Sequence, residues 1–191
     1  NRELKEINGF DYKANGKITS SLKHVRIGKK DYVLTESGVG NTQILNRKGE
    51  PRIITEEDIA FSNKGIFEYN DKFITTSISG DLIKIDQSGD VEKLDLKLTK
   101  DHLFTASHQN WAIIDENRLI INSNEKELDY GLYTRPQIHQ LNDRTLISFT
   151  DKQAGKIYLF TNQGELLPGF PIYGKTAIDL YENAQNELIF T

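Results

Sequence analysis

Two short stretches set an aromatic ring two residues ahead of a cation: Tyr133 with Arg135, and Tyr173 with Lys175. A tyrosine ring supplies stacking area at small entropic cost, and a guanidinium or ammonium beside it selects an anionic or hydroxyl-rich group. Such pairs suit recognition rather than bond breaking. The densest acidic run, Glu56, Glu57 and Asp58, sits in the longest connection, ITEEDIAFSNKG. With Asp101 it offers carboxylates to the same kind of surface. The expected ligand-binding face is Tyr133, Arg135, Tyr173, Lys175, Glu57, Asp58 and Asp101, with packing between repeats as the competing role for each tyrosine.

Catalytic signatures are absent from the pattern. His24, His102, His108 and His139 are scattered at no metal-ligand spacing, and the chain has no Cys, which removes thiolate sites and disulfides. The GVG at 38–40 is too short for a phosphate cradle and no helical pattern follows it. Trp111 is the single tryptophan and reads as core or rim packing. Glu68, Asp101 and Asp179 fall on or near first strands, where a glycosidase would need two carboxyl groups facing each other at about 5–10 Å. No catalytic residue, metal or cofactor is expected.

The elements that must position these residues repeat. In KIYLFTNQGE an alternating strand ends in a large apolar residue, a short polar turn carries a Gly, and a second strand begins. ILNRKGE, KIDQSGD and DYKANGK keep the same frame, and NRLIINSNEKELDY keeps it without the Gly, with Ser123, Asn124 and Glu125 as its expected turn. Period-two alternation with a Gly able to take positive φ predicts a β-hairpin each time. The anchors Tyr12, Leu45, Ile85, Ile121 and Phe160 recur about every 40 residues, the mark of a β-propeller of four-stranded blades. Four whole blades are expected, ending in the outer strands EPRIIT, VEKLDLK, KELDYG and ELLPGF. Two inner strands, AIDLYE and NELIFT, then combine with two outer strands from residues 1–23 into a composite fifth blade, residues 186–191 pairing with residues near 4–12. The fold class is therefore all-β, a five-bladed β-propeller forming a single domain over 1–191.

Of the 191 residues, 24 are basic and 28 acidic, a net charge of −4 that gives no footprint for nucleic acid. No apolar run approaches the roughly 18 residues of a membrane span, so no membrane insertion of this segment is expected. The chain lacks Met and is expected to be a processed or excised piece of a longer one.

At the C-terminal end, GELLPGFPIYG followed by AIDLYENAQNELIF resembles the blades of secreted bacterial propellers of the FG-GAP and PQQ-like kind. The resemblance implies an exported or cell-envelope binding module. In the FG-GAP type an acidic loop of alternating Asp residues holds calcium. Here Asp179 matches the first, while Tyr181, Asn183 and Gln185 take the positions that follow, so no metal is expected. A PQQ-type enzyme would need a longer ring and a floor of tryptophans. The expected function is a noncatalytic binding or protein-interaction propeller, extracytoplasmic, with a protein or glycan partner; a lectin-like propeller and a glycoside-hydrolase-like one are the alternatives. In a propeller the connections between second and third strands share a face with those entering each first strand. That face collects residues 37–41, 55–64, 133–137, 151–155 and 173–176 with Asp81 and Asp101.

Overall fold

The computed structural model describes residues 9–14, 16–18, 22–37, 41–55, 59–183, 185 and 187–191. All regular structure among them is β, every ladder antiparallel, with no helix. The chain divides into two compact units, Asn1–Lys97 and Leu98–Thr191.

The first unit holds two four-stranded sheets in sequence order. One is β1 (Lys23–Ile27), β2 (Lys30–Ser37), β3 (Asn41–Leu45) and β4 (Pro51–Ile53). The other is β5 (Phe67–Tyr69), β6 (Lys72–Thr76), β7 (Asp81–Ile85) and β8 (Val91–Asp95). Their core joins Tyr32, Leu34 and Ile44 to Phe73, Ile83 and Ile85, with Phe61 beneath.

The second unit repeats the plan. Its first sheet is β9 (Leu103–Ser107), β10 (Asn110–Asp115), β11 (Arg118–Ile121) and β12 (Asn124–Glu127). The next is β13 (Gln137–Gln140), β14 (Thr145–Asp151), β15 (Lys156–Thr161) and β16 (Ile172–Tyr173), followed by a two-stranded sheet of β17 (Leu180–Glu182) and β18 (Leu188–Phe190). Tyr133, Phe149, Tyr158 and Phe160 form its aromatic core, with Phe149 stacked on Tyr158 at 5.2 Å and on Phe160 at 5.7 Å. Second strands are buried on both faces, β10 and β14 throughout, whereas the outer strand β12 is exposed along its length. Burial that falls from inner to outer strand is the gradient that blade-like sheets produce.

The anchors Leu45, Ile85, Ile121 and Phe160 all lie on third strands and are buried. Tyr12 departs from the frame, for it lies on no strand. The neighbouring Asp11 gives its N–H to the Lys48 carbonyl in the β3–β4 turn at 2.9 Å. Residues 1–8, which carry most of the expected closing strand, lie outside the described residues. Among the described residues β18 pairs with β17 alone, and the sheets form no closed composite blade.

Two turns differ from the frame for local reasons. In the copy without Gly, Asn122 and Ser123 form the whole turn with φ of 48° and 76°, and Ile121 pairs directly with Asn124. Two successive left-handed residues make the two-residue hairpin turn whose twist suits antiparallel strands, and Asn tolerates that conformation. Asn124 and Glu125 therefore begin β12 instead of belonging to the turn, and Asp129 to Gly131 fall beyond its end. The fourth outer strand is also shorter than ELLPGF implies. Leu166 makes one bridge to Phe160, Pro168 and Gly169 turn the chain, and pairing resumes at Ile172 and Tyr173.

Candidate recognition face

One latch repeats ahead of the first strands. Phe61 bridges Ser77, the Ser62 N–H bonds the Thr76 carbonyl at 2.7 Å, and the Ile78 N–H bonds the Ala60 carbonyl at 2.9 Å. In the second unit Tyr133 bridges Asp151, the Thr134 N–H bonds the Thr150 carbonyl at 2.9 Å, and the Lys152 N–H bonds the Leu132 carbonyl at 2.8 Å. Asp179 exchanges two backbone bonds directly with Thr191, at 3.1 and 3.2 Å, and Ile178 precedes it as Phe61 precedes Ser62 and Tyr133 precedes Thr134. Phe61, Tyr133 and Ile178 are buried, as is Leu98 ahead of β9.

Tyr133 thus belongs to the core. It is 8% exposed, stands edge-on to Phe149 and Tyr158, and its hydroxyl donates to the Asp129 carbonyl at 2.5 Å. Burial, then the charges of Tyr158, Asp151 and Asp129, push its phenol up to about 12. Tyr173 is not its equivalent, since it lies on β16 opposite Lys156 and is 90% exposed.

Asp151 organises the loop at the end of β14. Its buried Oδ1 accepts the N–H groups of Gln153 at 2.8 Å, Ala154 at 3.2 Å and Leu132 at 3.2 Å. A Cβ on Gly131 would come 2.6 Å from Asp151 Oδ2, so only a glycine lets the incoming connection close on this carboxylate. Asp115 does similar work one sheet earlier, accepting the Thr99 hydroxyl at 2.5 Å and the Thr99 N–H at 3.2 Å. On the other side of the β14–β15 turn, the Gly174 N–H bonds the Gly155 carbonyl at 2.9 Å and Thr150 Oγ1 donates to the Thr176 carbonyl at 2.8 Å.

Three of the expected connections, 133–137, 151–155 and 173–176, are therefore held together by hydrogen bonds. What they present differs in part from expectation. Arg135 and Lys175 are exposed with Tyr173. Tyr130, 81% exposed, and Leu132, 62% exposed, join them, with Lys152 exposed beside them. The sequence carried a signal for these two in LDYGLYT, an apolar cluster around a glycine in a connection, which the expected strand KELDYG absorbed. Asp101 stands apart, exposed in the turn before β9. Glu57 and Asp58 lie outside the described residues, as does the GVG at 38–40.

The histidines and the tryptophan have local partners. His24 Nε2 lies 2.9 Å from Asp31 Oδ1, His102 is buried with Nδ1 2.6 Å from the Thr99 carbonyl, and His139 Nε2 lies 2.7 Å from Ser148 Oγ. Burial holds the His139 imidazole below its ordinary value, opposed by the charge of Asp179. Trp111 is buried on β10. Among the described residues no group of His, Asp and Glu has metal-holding geometry. The stretch Asp179, Tyr181, Asn183, Gln185 is a strand running into a hairpin turn: Asn183 Oδ1 accepts the Gln185 and Glu187 N–H groups, each at 2.9 Å, and its Nδ2 donates to Glu187 at 2.8 Å. Asn46 makes the same three bonds in NRKGE.

No family model matches the chain, and no curated protein matches it in sequence. Solved structures do match its fold. BamB from Moraxella catarrhalis superposes with a TM-score of 0.53 at 15% identity, over 92% of this chain and 60% of that one. A catalytically inactive virginiamycin B lyase from Staphylococcus aureus, solved with quinupristin, gives 0.53 at 17% identity over 89% and 61%. BBS1N in complex with ARL6DN gives 0.53 at 10% identity over 89% and 61%. The chain spans about three fifths of the length of these structures, and the likeness shows a β-propeller-like fold.

Proposed function

We propose that this chain is a noncatalytic protein-interaction module, one β-propeller-like part of an exported or cell-envelope protein. The observation that carries the reading is a contrast between equivalent positions. Ala60 and Leu132 accept the same latch hydrogen bond, so the fold asks only for a carbonyl there, yet the second unit places an exposed leucine beside exposed Tyr130. Apolar and aromatic side chains that no local packing requires, with Arg135, Lys152 and Lys175 exposed on the same hydrogen-bonded connections, have the composition of a partner-binding surface. BBS1N was solved with a protein partner, ARL6DN, which is compatible with such a role for the fold. The exported location rests on the resemblance of residues 166–191 to secreted propeller blades. The five-blade count, with residues 186–191 pairing near residues 4–12, belongs to the same proposal.

A photo-cross-linking amino acid at Tyr173 in the full-length parent protein tests the surface. Capture of one defined protein, lost when Leu132→Asp is added, supports the reading. Unchanged capture with Leu132→Asp, or a glycan array that binds the wild type through Tyr173, replaces it with another surface or with the lectin alternative.

A further inference from the structure

A groove of about 730 Å³ opens between β12 and the β15–β16 turn. One wall is Lys126, Glu127, Leu128 and Asp129; the floor is Tyr158 and Phe160; the other wall is Gly164, Glu165 and Leu166. Its end is pinned, since Asn122 Nδ2 donates to the Asn162 carbonyl at 2.9 Å, and a Cβ on Gly164 would touch the Asn124 Cβ at 3.4 Å. The Tyr133 hydroxyl holds the backbone of Asp129 in place. The groove is therefore built by the fold.

Its lining has two parts. Tyr158, Phe160, Leu128 and Leu166 offer an apolar bed. Glu127, Asp129 and Glu165 outnumber Lys126, so the site is net negative. A second observation points to a ligand. Tyr158 is 8% exposed, it lines the groove, and its hydroxyl has no hydrogen-bond partner among the described residues. The ring is buried while the oxygen itself opens onto the groove, so it is free to bond a donor that enters. Burial, followed by the charges of Asp129 and Asp151, raises the Tyr158 phenol, so it remains a neutral hydroxyl whose oxygen can accept a hydrogen bond.

We infer that this groove binds a cationic side chain, arginine or lysine, from a basic segment of a partner protein. The aliphatic stem lies along Leu128, Leu166 and the rings, as long basic side chains lie on apolar surface. The charged head meets Asp129 and Glu165 and donates to Tyr158 Oη. A neutral saccharide would use the aromatic bed but gain little from three carboxylates.

The test uses the whole chain and two capped tripeptides, acetyl-Gly-Arg-Gly-amide and its Gln counterpart, titrated while the amides of Leu128, Gly164 and Glu165 are followed by NMR. The Arg peptide should shift all three amides saturably, and the Gln peptide should not. Asp129→Asn should weaken the Arg peptide about fivefold to tenfold, and Tyr158→Phe, which keeps the packing, about threefold. Should either variant lose its native spectrum, the wild type decides by salt: binding must fall as ionic strength rises to about 0.3 M. Equal binding of the two peptides, salt-independent binding, or displacement by a neutral disaccharide would overturn the inference. The reading of Tyr173 and Leu132 stands apart, since Leu132→Asp should leave these shifts unchanged.

Discussion

The Tyr133 hydroxyl bonds the Asp129 carbonyl at 2.5 Å while its ring stands 5.6 Å from that of Phe149. Held at both ends, this side chain secures the connection into β13. Tyr133→Phe leaves the carbonyl without its partner and should cost about 1 kcal/mol. Tyr133→Ala also opens a cavity and should cost about 3–5 kcal/mol. Urea unfolding followed by Trp111 fluorescence reads both, and a Tyr133→Ala protein within about 0.5 kcal/mol of wild type would refute the packing role.

The same phenol makes stability sensitive to alkali. Its folded pKa, about 12, lies above the ordinary value of 10.0. The folded state therefore keeps a proton that the unfolded chain has already lost. The contribution is complete below about pH 10 and disappears as pH climbs from there towards about 12. Tyr133→Phe should lose melting temperature less steeply across that window. Parallel alkaline melting curves for the two proteins would contradict this.

Asp151→Ala leaves the Leu132, Gln153 and Ala154 N–H groups without their acceptor and should destabilise the fold by about 2–3 kcal/mol. Hydrogen exchange at those three amides should speed up most. Protection unchanged at Leu132 would mean that the carboxylate does not hold the incoming connection.

Asn183→Ala should cost about 1 kcal/mol, because three turn hydrogen bonds go with one side chain. Asn46→Ala should match it, since the bonding is the same. Calcium should leave the wild-type melting temperature where it was; a rise on adding the ion would restore the metal-loop reading of residues 179–185.

Arg135→Ala with Tyr173→Ala changes exposed side chains only, so melting should move by less than about 0.5 kcal/mol in equivalent stability while partner capture falls. A double variant that melts far lower yet captures normally would make both residues structural.

Third strands were legible because their evidence is local: alternation, one large apolar residue, and a turn rich in Gly. Leu45, Ile85 and Phe160 carried that evidence whole, and Ile121 carried all of it but the Gly. The latch left a signal in the sequence as well. A large apolar residue precedes a short polar one in Phe61-Ser62, Leu98-Thr99, Tyr133-Thr134 and Ile178-Asp179, and that series separates Tyr133 from Tyr173 without coordinates. The groove over Tyr158 and Phe160 was hidden. Those two residues look like any inward pair on β15, and their partial access depends on where β12 ends, which follows from the tight turn at Asn122 and Ser123.

The outer strands differ in how they meet other molecules. β4 begins with Pro51, β8 carries Glu92, Lys93 and Asp95, β12 is charged at Glu125, Lys126 and Glu127, and β16 follows Pro171. Prolines and charges deny a second molecule the ladder it would need to add a strand, so crowding at those four edges stays harmless. Strand β18 reads Leu188, Ile189, Phe190, with neither guard. On the proposed closure, residues near 4–12 cover that edge, so removing residues 1–12 should make a concentrated sample self-associate there, and Ile189→Lys should restore its solubility.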